Sequence, residues 1–240
     1  MPRSVLFIKH IEYETGGHAT TLLSHLPTRE AVFPTELPPL DAIAGVVILG
    51  GQMSAAEVDR FPSLALTADL ALRAIDAEIP VLGLCLGHQI IGRALGGVHR
   101  EGAVDAVGII DIDLIEPDPW LGDHVGTVGA MRWNSDVVSL PPGATLLARS
   151  ATVDNDAFRY GSAVGMQFHL EADDRVMRLW DSVTNPTLSD LRGADAVADW
   201  RRHLATDPTL LGIVERGFGA FAEACAARVG EELPSLTPAA

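Results

Sequence analysis

Three short stretches of this chain are apolar at every position: Val5-Leu6-Phe7-Ile8, Gly45-Val46-Val47-Ile48-Leu49 and Ile79-Pro80-Val81-Leu82. Unbroken apolar runs of strand length have no wet face, which is the mark of parallel strands covered on both sides. Helical periodicity falls between them. From Ser63 to Ala77 the apolar residues Leu64, Leu66, Ala68, Leu70, Ala71, Ala74 and Ile75 recur at helical spacing and predict an amphipathic helix. Gly17 to Leu26 predicts a short helix after the first strand. Ala31-Val32-Phe33 predicts a weak second strand, closed by Pro34 and Pro38-Pro39. His88 to Leu95 predicts a helix after the third apolar run. Strands alternating with helices predict an α/β fold: a mainly parallel, doubly wound sheet with flanking helices.

The pattern changes after Gly96-Gly97. Val107 to Ile115 partly alternates, as in a strand with one wet face. Val137-Val138, Thr145 to Ala148 and Ala163 to Phe168 read as further short strands. From Arg175 the chain reads as helical, through Leu179-Trp180, Ala196 to Leu204 and Leu210 to Val229, ending in a Pro-containing, frayed stretch from Glu231 to Ala240. With no repeat or linker, the expectation is one domain over residues 1–240, with 175–240 as a helical C-terminal tail.

Composition narrows the function classes. A hydrophobic share of 48% and a charged share of 20% over 240 residues describe a folded globular chain. A net charge of -15 argues against nucleic acid and against an anionic membrane as partners. Two cysteines, Cys85 and Cys225, make no disulfide framework. With no leader-like N-terminus and no run of membrane-spanning length, the expectation is a cytoplasmic protein. The histidines show no metal-ligand spacing and the glycines no phosphate-binding pattern, so neither a metal nor a cofactor is expected.

Chemistry concentrates at Gly83-Leu84-Cys85-Leu86-Gly87. A strand that turns sharply into a helix exposes the central side chain at the strand's tip, and the helix N-terminus there favours a thiolate. A cysteine nucleophile needs a base, and the base needs an orienting acceptor. His169 and Glu171, two apart at a predicted strand end, supply both. Gly50-Gly51-Gln52 follows its own strand at the same edge, and the Gly51 and Leu86 N–H groups are the natural pair of donors for an oxyanion. Cys225, in an Ala-rich helix, reads as core. His10 and Glu12, after the first strand, read as turn caps.

These segments resemble one family. Gly83-Leu84-Cys85-Leu86-Gly87-His88-Gln89 is similar to the nucleophile motif of class I (triad-type) glutamine amidotransferases, Gly165 to Glu171 to their second motif, and Gly50 to Ser54 to their oxyanion loop. Glu57 to Leu64, Met131 to Asp136 and Leu140 to Ala144 resemble segments of the free-standing, GMP-synthase-like subgroup. Leu170 stands where the family commonly has proline, and Gln52 stands at the third position of an often Gly-Gly-Pro loop. The resemblance implies a flavodoxin-like fold and a glutaminase reaction. Cys85 would attack the side-chain amide of L-glutamine, His169 would carry the proton, and Glu171 would orient it. Gly51 and Leu86 would form the oxyanion hole. Gln89, Gly50, Gln52, Trp133 and Asp136 would contact substrate, the last two from a loop. No synthetase module follows, so the resemblance implies a separate synthetase subunit that takes the ammonia. The alternatives are hydrolysis of γ-glutamyl amides or peptides, and a non-enzymatic binding subunit that keeps the pocket. A cysteine peptidase or chaperone on the related fold typically has histidine after the nucleophile, where this chain has Leu86.

Overall fold

The computed structural model describes residues 3–184, 188–193 and 195–230; the expected frayed end from Glu231 to Ala240 lies outside them. The strands are β1 (Ser4–Lys9), β2 (Thr28–Val32), β3 (Ile43–Ile48), β4 (Val81–Leu84), β5 (His99–Arg100), β6 (Ala106–Leu114), β7 (Gly126–Asn134), β8 (Val137–Val138), β9 (Thr145–Arg149), β10 (Ala157–Tyr160) and β11 (Ala163–Met166). The helices are α1 (Gly17–Leu22), α2 (Pro62–Asp76), α3 (Leu86–Ala94), α4 (Asp174–Val183), α5 (Leu188–Arg192), α6 (Ala196–Thr206) and α7 (Pro208–Val229). Among the described residues, nine strands form one sheet in the order β2-β1-β3-β4-β11-β10-β9-β6-β7, and β5 pairs with β8 apart from it.

The half from β2 to β11 is parallel. The half from β11 to β7 is antiparallel. The division follows the sequence. The unbroken apolar runs build the parallel half, and the alternating segments after Gly97 build the rest. Successive residues of the parallel strands enter opposite layers. Val5, Phe7, Val47 and Leu84 pack with α1, α4, α6 and α7, while Leu6, Ile8, Val46 and Ile48 pack with α2 and α3. Full burial of each such side chain contributes roughly 1.5–3 kcal/mol.

The C-terminal helices, together with α1, cover one face of the sheet. Val176, Met177, Trp200, Phe218 and Phe221 share the core with β1, β3 and β4. Aspartates start three of these helices: Asp173, Asp195 and Asp207 accept from Val176 N, Ala198 N and Leu210 N at 2.8, 2.9 and 2.9 Å. Each cap is worth about 1 kcal/mol. Cys225 is fully buried against β3, its Sγ 2.3 Å from where a Cβ on Gly45 would stand. No helix among the described residues is long and apolar enough to cross a membrane.

The glycines around Cys85 are explained by close approach. A Cβ on Gly83 would lie 2.6 Å from Gly87 C, and one on Gly87 would lie 2.2 Å from Ile48 O. The start of α3 is therefore wedged between the ends of β3 and β4. Gly87→Ala is expected to cost about 3 kcal/mol, read as a lowered midpoint in urea unfolding. An unchanged midpoint would show that α3 moves freely.

Candidate active site

Register brings the site together. Ile48 pairs with Gly83 and Leu84 with Met166, so the residues that follow β3, β4 and β11 leave the sheet side by side at its carboxyl edge. Those residues are Gly50-Gly51, Cys85, and the segment carrying His169 and Glu171.

Cys85 has φ +52° and ψ -102°. That conformation is strained for a residue with a Cβ, and such strain gathers at functional turns. The turn is clamped: Cys85 N donates to Met166 O at 2.8 Å, and Gln89 N to Cys85 O at 3.2 Å. The thiol makes a long contact, 3.9 Å, to Trp133 O.

His169 and Glu171 are not on a strand, because β11 ends at Met166. The backbone beyond it leaves the ladder for other partners. Gln167 N donates to Asp156 O at 2.7 Å, and His169 N to Met131 O at 2.8 Å. The pair meets nonetheless, with His169 Nδ1 2.6 Å from Glu171 Oε1 and both side chains buried. Burial alone would push the imidazole toward its neutral form. The charges of Glu171 and Cys85, each accepting a hydrogen bond from the ring, outweigh it and hold His169 well above its usual pKa.

Cys85, His169, Gly51, Gln52, Gln89, Trp133 and Asp136 all line one cavity of about 800 Å³. Gly50 is not among the lining residues but adjoins two of them. A Cβ there would stand 3.5 Å from His169 Cε1 and 3.7 Å from Cys85 Cβ. Gly51 is closely packed: a Cβ there would lie 2.6 Å from Leu86 Cδ2, so a side chain would have to displace the Leu86 and Met53 tips. Leu86 is buried and opens α3, so its N–H is among the donors a helix start leaves unpaired. Gln89 is buried, and its Nε2 donates to Asp136 O and Gln167 Oε1, both at 3.0 Å. Trp133 is not in a loop: it and Asn134 end β7. The Asp136 carboxylate accepts from Gly102 N at 3.0 Å and lies 3.2 Å from His99 Nε2.

An ion pair hidden in the core supports this wall. Arg132 Nη1 lies 2.6 Å from Asp156 Oδ1, and both side chains are fully buried. Arg132 also donates to Asn134 Oδ1 from Nε and Nη2, at 3.1 and 2.9 Å. Asn134 Nδ2 in turn donates to Asp136 O at 2.9 Å. Burial pushes the Arg132 pKa down and the Asp156 pKa up, with their mutual attraction opposing both shifts. Asp156→Ala leaves a buried cation without its partner and is expected to cost about 3–5 kcal/mol, measured by urea unfolding. A loss under about 1 kcal/mol would mean that Arg132 reaches water.

Among the cavity residues that the sequence did not single out, two stand beside His169. Glu14 follows β1, and Trp180 comes from α4. The Trp180 ring packs edge-on against the His169 imidazole at 4.7 Å between centroids. Its Nε1 donates to Glu14 Oε1 at 3.2 Å. A tryptophan on a helix stripe and a glutamate in a polar loop carry no local signal of such a place.

Comparison with known proteins identifies the family. Residues 19–178 match the sequence profile described as Glutamine amidotransferase class-I. A glutamine-hydrolyzing GMP synthase subunit of Saccharolobus solfataricus is 30% identical over 169 residues, covering 69% of this chain and 82% of that one. The corresponding GMP synthase subunit of Thermococcus kodakarensis is 35% identical over 100 residues, 39% of this chain; the match spans only about half, 52%, of that relative. Among solved structures, a glutamine amidotransferase from Thermotoga maritima superposes with a TM-score of 0.79 at 26% identity, covering 96% of this chain and 100% of the other. Sequence, fold and the converging side chains thus give one answer, and this chain belongs to the class-I glutamine amidotransferase family.

Proposed function

We propose that the protein hydrolyses the side-chain amide of glutamine through a thioester on Cys85. The observation that carries this reading is that Cys85 and His169, from separate points of the sheet edge, line one cavity, with Glu171 bonded to His169 Nδ1 behind it. Cys85 Sγ attacks the amide carbon, and the Gly51 and Leu86 N–H groups receive the oxyanion. His169, oriented by Glu171, protonates the departing ammonia. It then takes a proton from water, which attacks the thioester and releases glutamate. Gln89, Gly50, Gln52, Trp133 and Asp136 hold the substrate. The ammonia passes to a separate synthetase subunit, a reading supported by the names of the relatives, which are themselves subunits of a synthase.

Cavity size favours a second reading. About 800 Å³ lies in the upper part of the range for small-molecule sites. Glutamine would fill only part of it, so a γ-glutamyl amide with a larger amine portion is the alternative substrate.

A glutamine-analogue chloroketone tests the assignment. It is expected to label Cys85 stoichiometrically and to spare Cys225, which is fully buried and whose thiol burial pushes up to about 12. Labelling that glutamine does not slow, or labelling of Cys225, would remove the proposal.

A further inference from the structure

Glu14 is a carboxyl at the centre of the site that the hydrolytic steps leave unused. It is 5% exposed. Oε1 accepts from Trp180 Nε1 and from Thr15 N, each at 3.2 Å. Among the described residues, Oε2 accepts no hydrogen bond. Gly50 locates this second oxygen. The Cβ position that lies 3.5 Å from His169 Cε1 and 3.7 Å from Cys85 Cβ also lies 3.8 Å from Glu14 Oε2. One missing side chain therefore separates the nucleophile, the imidazole and this carboxyl.

We propose that Glu14 is a positioning residue of this active site: it holds the Trp180 indole edge-on against the His169 imidazole and sets its second carboxyl oxygen where Cys85 and His169 meet. The proposal rests on His169 being the base that serves Cys85. Imidazole orientation decides whether a proton reaches sulfur or leaving group, and small misplacements are costly in rate. Glu171 fixes the ring through Nδ1. Trp180 fixes its tilt, and Glu14 fixes Trp180.

The charges around Glu14 add a second effect. Glu171 and His169 face it from the segment after β11, the Trp180 and Thr15 N–H groups bind it, Tyr13 adjoins it, and Cys85 shares the Gly50 contact point. Burial first, and then the Glu171 charge, push its pKa up to about 7, while His169 and the two N–H groups pull the other way. Near neutrality Glu14 passes between its neutral and charged forms. Its charged form favours the imidazolium.

The test is the pH dependence of Cys85 alkylation by iodoacetamide, which needs no substrate, together with steady-state kinetics on glutamine. Glu14→Gln keeps an acceptor for the indole and removes the charge. It is expected to erase an ionisation near pH 7 from the alkylation profile while holding kcat within about 3-fold at about pH 6. Glu14→Ala and Trp180→Phe are each expected to lower kcat about 10- to 100-fold with little change in KM. The double variant should lose no more than the worse single one, because both act on one path. Thermal melts and the count of alkylated Cys85 correct for any unfolded fraction. An unchanged profile in Glu14→Gln, additive losses, or a rise in KM alone would each overturn the proposal, the last in favour of a substrate contact. If the parent releases no glutamate yet its alkylation profile loses the step in Glu14→Gln, the hydrolytic reading fails and the positioning role stands.

Discussion

Replacing Cys85 by alanine is expected to lower glutamate release from glutamine by at least about 10³-fold while leaving the fold intact. Among the described residues no other thiol lines the cavity, and the second cysteine, Cys225, is sealed against β3. Alanine keeps a Cβ, so the φ of +52° carries the same strain in parent and variant. The lost thiol contact, 3.9 Å to Trp133 O, is too long to matter for stability. A glutamate assay beside a thermal melt reads both halves of the expectation. Full activity, or a variant that does not fold, would count against the assignment.

Glu171→Gln carries the second large effect, about 10²–10⁴-fold in kcat. The 2.6 Å contact from Glu171 Oε1 to His169 Nδ1 fixes the tautomer that leaves the other ring nitrogen free to take a proton. An amide in its place can present N–H instead of oxygen and reverse that tautomer. The imidazolium also loses its main electrostatic support, so burial acts with less opposition and His169 becomes easier to deprotonate. The backbone is not at risk, because Glu171 O still accepts from His18 N at 3.0 Å. The sign for stability follows from linkage. A histidine whose folded pKa is raised contributes fully below its unfolded value of about 6.5. That contribution is lost as pH rises through the higher folded value. Parent and variant should therefore differ most in unfolding free energy below about pH 6.5 and converge in alkali. Equal kcat in the two proteins would exclude Glu171 as the orienting group.

How much of this was legible in the sequence depends on where the signal lies. The parallel half of the sheet was plain, because burial on both faces forces unbroken apolar runs such as Val46-Val47-Ile48. The turn at Cys85 was plain because Gly83 and Gly87 flank the cysteine two residues to either side, although the clash that dictates Gly87 is with Ile48 of β3. Strand β7 was hidden. Its buried positions are Val128, Ala130, Met131 and Arg132, and a fully buried arginine beside a buried methionine breaks the apolar alternation that marks a strand. Without β7, the residues around Trp133 read as a loop. His169 and Glu171 do meet, although the strand expected to carry them stops at Met166. Glu14 and Trp180 were illegible because their meaning comes from each other across 166 positions of chain.

The helical region that bears no recognisable motif has a practical consequence. Trimming the protein after Glu171, the last residue of its recognised motifs, would strip α4, α6 and α7 from one side of the sheet and carry away the indole braced against the imidazole. What remained would keep every diagnostic residue and still be an insoluble fragment with a wide-open cleft. The boundary of the working unit is drawn by packing, and it lies well beyond the last signature.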